Sequence, residues 1–390
     1  MIRKGLLEKI YGAASIQRWN DHVRPVEFTE LDKQAHKMVI TYVLGKYEES
    51  EPDWVKLIEG GFFEFLQRVI LTDIKPPVFH KLIEKKGQEL NRWVVQELAS
   101  DIEDIEDFKG KMEEYLLNAE YSKKEKRILK AAHYLATNWE FKIIYSIAPF
   151  VYGVDKTKEN IENQIEQHYD LAGVQKILLN KKVYGFIDLC GQLRFQQRWA
   201  QTPRIPKTSV LGHMLIVAML AYLCSREIGA CDKRLYNNFF AGLFHDLPEV
   251  LTRDIVSPVK QSIEGLDEVI KEYEQIQMEE TLLPLLPSGW HAELRYFLED
   301  EFKPKIRQDG QVSLVESGGL AEYNRNEYSP LDGDMVKACD HLAAFIEAAI
   351  SISYGIKSET LRKGKDKFYS DYRGKKLAGV NFGQLFDYFN

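Results

Sequence analysis

The sequence predicts an all-α protein made of two related helical bundles, the first a degenerate copy of the second. Apolar residues recur at helical spacing, strand-like alternation is rare, and short segments echo one another about 180 residues apart. The 390-residue length itself favours two cores. Val210, Leu211, Met214, Val217, Ala218 and Ala221 recur at three- and four-residue steps, as on a buried helix face. Phe239, Phe240, Leu243 and Phe244 repeat the pattern. So do Met335, Ala338, Leu342, Phe345 and Ala349, with Gly355 as a helix stop.

The echoes keep their order. Gln17-Arg18-Trp19 matches Gln197-Arg198-Trp199, and Leu71-Thr72-Asp73-Ile74 matches the stretch from Leu251 to Ile255. His36 is read as the counterpart of His213, and His133 as that of Asp340. This reading places a degenerate bundle at 1–165, a second bundle at 180–365 and a C-terminal tail at 366–390.

Composition narrows the function. Hydrophobic residues make up 45% and charged residues 28%, ordinary for a globular protein. A net charge of -7 argues against a general nucleic-acid grip, which needs a basic face. No apolar run approaches the ~20 residues of a membrane span. Lys4, Glu8 and Lys9 stand where a signal peptide would be apolar, so a cytoplasmic location is expected. Cys190, Cys224, Cys231 and Cys339 show no CxxC spacing, which disfavours a zinc ribbon.

The chemistry concentrates in the second half. His245-Asp246 ends an apolar helix, His213 lies on the helix before it, and Asp340 on a later one. A buried carboxylate without a partner costs several kcal/mol, and a shared cation would satisfy all four groups. Two imidazoles and two carboxylates suit one divalent ion such as Mn, Co, Ni or Fe(II); Mg, which prefers oxygen ligands, is disfavoured.

This H…HD…D pattern resembles the HD superfamily of metal-dependent phosphohydrolases. Arg198-Trp199 ahead of His213, and Glu249-Val250-Leu251-Thr252, Asp254 and Ser257-Pro258-Val259-Lys260 after His245-Asp246, are similar to the YfbR-type 5'-deoxynucleotidase branch. The resemblance runs over roughly 190–352. It departs at Gly212, where the branch carries an acid, and in a longer segment at 284–334.

The resemblance implies hydrolysis of nucleoside 5'-monophosphates, with a preference for deoxy forms. Glu249, one turn beyond Asp246, is the candidate proton-transfer group, with Asp254 a second acid–base or substrate-contacting candidate. Arg198 can grip a phosphate with two parallel N–H groups. Trp199 offers a flat wall for the sugar, and the branch links this tryptophan to deoxyribose preference. Ser257 and Lys260 complete the candidate substrate contacts. Bland roles compete with these: Thr252 as a cap, Lys207 and Lys260 as surface lysines.

In the first half, Phe65-Leu66-Gln67-Arg68-Val69 stands where the His-Asp pair should be. Rival readings are alarmone or other nucleotide hydrolysis, and a non-catalytic regulatory HD protein. Alarmone hydrolases carry HD-x-x-E-D, whereas Val250 follows Glu249 here. The expected partner is a small nucleotide, with neither nucleic acid nor membrane; a homodimer is compatible with the sequence.

Overall fold

A computed structural model describes residues 1–253, 255 and 263–390. The candidate contacts Asp254, Ser257 and Lys260 lie outside the described residues. The chain divides into two compact units, Met1–Asn180 and Lys181–Asn390. Both are helical, and their only strands among the described residues form short antiparallel pairs.

The first unit comprises α1 (Lys4–Gly12), β1 (Gln17–Arg18), β2 (Phe28–Thr29), α2 (Glu30–Tyr47), α3 (Trp54–Leu71), α4 (Pro76–Ile102), α5 (Phe108–Leu117), α6 (Lys123–Ile147), α7 (Val154–Glu166) and α8 (Ala172–Leu178). α2 is its centre, buried from Glu30 to Gly45. It starts where Thr29 Oγ1 accepts the backbone N–H of Asp32 at 3.2 Å.

The second unit begins with α9 (Lys182–Gln192), α10 (Val210–Glu227), α11 (Asp232–Phe244) and α12 (Glu249–Thr252). It continues with α13 (Leu266–Gln277), α14 (Ser288–Leu298), β3 (Lys305–Gln308) and β4 (Gln311–Leu314), then α15 (Gly333–Ser353), α16 (Glu359–Tyr372) and α17 (Phe382–Asp387). α10 is long and apolar enough to cross a membrane by length and composition alone, yet it is the buried centre of this unit. Ser209 caps it, accepting the N–H of Gly212 at 2.9 Å. α11 lies tight against it: a Cβ on Gly242 would meet Ala218 Cα at 2.8 Å, so only glycine allows this approach. Asp332 caps α15 and also pairs with Arg234 of α11 at 2.5 Å, which fixes these two helices to each other. The β3–β4 hairpin in the long segment turns at Asp309-Gly310, both at positive φ (49° and 81°). Beyond α15, Tyr372 stacks on Phe386 at 4.6 Å, and Phe386 meets Phe345 at 4.8 Å.

The two units share local geometry in one register. Gln17 pairs with Thr29, and Gln197 with Ser209. The N–H of Glu30 reaches Ile16 O at 2.9 Å, and that of Val210 reaches Gln196 O at 2.9 Å. Trp19 donates to Glu140 at 2.8 Å, and Trp199 to Glu347 at 3.0 Å. This register corrects one expectation. Lys33, not His36, is the fourth residue after its helix cap, as His213 is after Ser209. Matching by residue type slipped the alignment by three positions, whereas the caps count it from the helix start. His36 packs edge-on against Trp139, 5.1 Å between rings. His133 keeps its expected place, seven residues before Glu140 as Asp340 is before Glu347.

In the first unit this place is lined by Lys33, Lys37 and His133. Lys33 Nζ lies against His133 Nδ1, and Lys37 pairs with Glu64. Burial pushes the Lys33 ammonium well below its usual range. Arg18 bridges Glu30 at 2.8 Å and Glu140 at 3.0 Å.

This network predicts an acid response. Burial alone would raise Glu30, but Arg18, Lys33 and Arg68 outweigh it and lower its pKa from 4.5 to about 2. A depressed carboxyl stabilises above its unfolded pKa and loses that contribution as pH falls through the folded value. Glu30 is expected to contribute on the order of 3 kcal/mol at neutral pH, lost between about pH 5 and 2. Denaturant titrations across that range should show a shallower pH slope in Glu30→Gln. An unchanged slope would remove the network from the acid response.

Candidate metal centre

Three helices bring the four predicted ligands together. α10 carries His213 four residues past its cap, the end of α11 carries His245 and Asp246, and α15 carries Asp340. Ligand atoms of His213, His245 and Asp246 all lie within 4.8 Å of one another. Asp340 Oδ1 stands 2.9 Å from His213 Nε2. His245 Nε2 faces Asp246 Oδ2 at 3.2 Å. Among the described residues this is the one such cluster of His, Cys, Asp and Glu.

The imidazole orientations fit a shared ion. His245 Nδ1 lies 2.8 Å from the carbonyl of Gly242, one turn back on its helix. With Nδ1 donating there, Nε2 is directed at the carboxylates as a lone-pair donor. His213 also directs Nε2 at them, and its ring is fully buried. Two nitrogens and two carboxylate oxygens are a donor set for one divalent transition ion.

The electrostatics are strongly coupled. Burial would lower His245, but Asp246 and Asp340 raise it to about 9. Burial would raise Asp246, but His245, Arg198 and His213 hold it at about 2. Asp340 is held well below the carboxylate range in the same way, with His213 the main cause opposing burial.

Of the remaining candidates among the described residues, Arg198 contacts the cluster. Arg198 Nη1 reaches Asp246 at 3.3 Å, and its Nη2 lies 3.9 Å from Asp340. Trp199 is half-buried at φ 56°, unusual for a bulky residue, and Trp19 repeats it at 55°. Gly364 leaves room for the Trp199 ring edge, since a Cβ there would sit 2.9 Å from it. Glu249 is buried at the start of α12, its N–H on Asp246 O at 3.1 Å and its own carbonyl accepting from Gln196 at 3.1 Å.

Sequence reasoning missed three residues beneath the site. Glu347, Arg204 and Thr208 are buried and linked: Arg204 donates to Thr208 Oγ1 at 2.6 Å, and Thr208 donates to Glu347 at 2.6 Å. Burial would raise Glu347, but Arg204 and His213 hold it well below its usual range. The available signal was a lone acid in the apolar run Ala343-Ala344-Phe345-Ile346-Glu347-Ala348-Ala349, two turns beyond Asp340.

Comparison with known proteins agrees with this geometry. The HD domain family matches residues 190–368. The chain is 23% identical over 185 residues to a 5'-deoxynucleotidase of Pasteurella multocida, covering 45% of this chain and 77% of that protein. It is 26% identical over 178 residues to a 5'-deoxynucleotidase of Klebsiella pneumoniae, covering 45% of this chain and 76% of that protein. The histidines and aspartates that the structure gathers at one point all fall within residues 190–368, the stretch that matches the HD domain family.

Proposed function

We propose that the second unit is a metal-dependent phosphomonoesterase that hydrolyses nucleoside 5'-monophosphates, deoxy forms preferentially, to nucleoside and phosphate. The observation that carries this reading is the convergence of His213, His245, Asp246 and Asp340, with Arg198 on the same carboxylates and Trp199 next to it. The similarity to 5'-deoxynucleotidases supports the substrate class.

His213, His245, Asp246 and Asp340 would hold the ion. When bound, it supplies positive charge that polarises the phosphoryl group and acidifies the attacking water. Arg198 neutralises the other side of the phosphate and orients it. Water gives a proton to Glu249 as its oxygen adds to phosphorus, the P–O bond to the sugar breaks, and Glu249 passes that proton to the departing 5'-oxygen, so that the nucleoside leaves as an alcohol. Asp254, Ser257 and Lys260 are assigned to the substrate by resemblance to the family. Trp199 is assigned to the sugar.

The first unit is read as a duplicated, degenerate copy that supports the second. The shared hydrogen-bond register supports duplication, and the exchange of His213 for Lys33 and of Asp340 for His133 supports loss of the ion.

The test is phosphate release from a panel of dNMPs, NMPs and alarmones with Mn or Co. Turnover of dNMPs above NMPs is expected. Rapid alarmone cleavage with no phosphate from any monophosphate would overturn the substrate assignment. Trp199→Ala is expected to narrow the deoxy-to-ribo ratio by about tenfold, the value of one lost sugar contact of about 1.4 kcal/mol. An unchanged ratio would move sugar recognition elsewhere.

A further inference from the structure

Glu347 lies behind the ligands, two turns along α15 from Asp340, and is almost wholly buried. Its two oxygens divide their contacts. Oε2 accepts the indole N–H of Trp199 at 3.0 Å and lies 3.7 Å from Arg204 Nη1. Oε1 accepts the Thr208 hydroxyl at 2.6 Å and lies 3.7 Å from His213 Nδ1. That Nδ1 is buried and makes no hydrogen bond in the structure. His213 meets the ligand carboxylates through Nε2, so a neutral ring binding an ion there must carry its proton on Nδ1. Of the acceptors placed near Nδ1, Glu347 Oε1 is the carboxylate, about half an ångström beyond the usual N–H···O limit of about 3.2 Å.

We propose that Glu347 is a positioning residue that couples the ion to sugar recognition, by taking the Nδ1–H of His213 on one oxygen while the other holds the Trp199 indole. The inference rests on the metal-dependent reading of this site. The first unit isolates the two halves of the device. Glu140 holds Trp19 there at 2.8 Å, but Lys33 stands in the place of His213, and the carboxylate turns to Arg18 at 3.0 Å instead. The tryptophan anchor therefore occurs without a ligand histidine, and the contact to His213 Nδ1 belongs to the unit that carries the ligand set. In the second unit Val210 stands where Glu30 does, and the Arg198 guanidinium faces Asp246 and Asp340. Outer partners of this kind fix the tautomer and orientation of a ligating histidine, and their loss typically weakens metal binding about 10- to 100-fold.

The test uses the full chain and Co(II), with affinity read by competition against a chromophoric chelator. Glu347→Gln keeps an oxygen for the Trp199 indole but removes the charge facing His213. It is expected to weaken Co(II) binding about 10- to 100-fold, while Trp199→Phe, which removes the indole N–H along with part of the ring but leaves the Glu347 charge in place, keeps Co(II) affinity within about twofold and narrows the deoxy-to-ribo ratio. Glu347→Asp is expected to recover part of the affinity. Wild-type affinity in Glu347→Gln would overturn the proposal. A second reading needs no variant: in 15N-histidine-labelled wild type loaded with Zn(II), His213 should show a protonated, strongly hydrogen-bonded Nδ1. A His213 Nδ1 without its proton overturns the proposal even if Glu347→Gln does not fold. A wild-type chain that takes up no divalent ion would instead overturn the metal reading on which both rest.

Discussion

Asp246→Ala is expected to lose the bound ion and about 1,000-fold of phosphate-releasing turnover, while the second unit still folds. Asp246 stands between both imidazoles and Arg198, 3.2 Å from His245 Nε2 and 3.3 Å from the guanidinium. Removing it leaves two imidazoles and one carboxylate, an incomplete set for a six-coordinate ion. The ion's stabilisation of transition-state charge is worth several kcal/mol, and each 1.36 kcal/mol is about tenfold in rate. Folding should survive because Asp246 is partly exposed at a helix end, whereas the core of this unit is the apolar contact between α10 and α11 at Gly242. Elemental analysis and phosphate release on the same preparation read both effects. Full metal occupancy in the variant would remove Asp246 from the ligand set.

Arg198→Ala is expected to cost about 100- to 1,000-fold in turnover with the metal content unchanged. The guanidinium makes two approaches to ligand carboxylates and is the cation placed to meet a phosphate held at the same point. It repels an incoming ion, so its removal should leave metal affinity equal or higher. Arg198→Lys should recover little, because one ammonium cannot reproduce two parallel N–H donors. A variant that loses metal and turnover together would make Arg198 a support for the ligands instead of a phosphate contact.

The candidate ligand set was legible because its residues are chemically out of place. A histidine in Leu211-Gly212-His213-Met214 and an aspartate in Ala338-Cys339-Asp340 occupy apolar helix faces, and the structure brings them together with the His-Asp pair. The helical fold was legible from the same faces. The register between halves was legible only in part. The matching Gln-Arg-Trp segments give an offset of about 180, whereas the match of His36 lies three residues from Lys33, the residue that stands as far from its cap Thr29 as His213 does from Ser209. The Glu347–Thr208–Arg204 group was not legible. Its members lie up to 143 positions apart in the chain, and each alone reads as a helix acid, a loop hydroxyl or a surface arginine. What unites them is burial and hydrogen bonding, which no local pattern encodes.

A single metal centre is tested by titrating the chelator-stripped chain with metal. Co(II) or Mn(II) is added in steps, and phosphate release from a deoxynucleoside 5'-monophosphate is read at each step. No activity is expected without the ion, then a linear rise to one equivalent per chain and a plateau beyond it, with the same plateau in Lys33→Ala. Activity that survives stripping, or a rise that continues to two equivalents, would contradict a single metal centre built from His213, His245, Asp246 and Asp340.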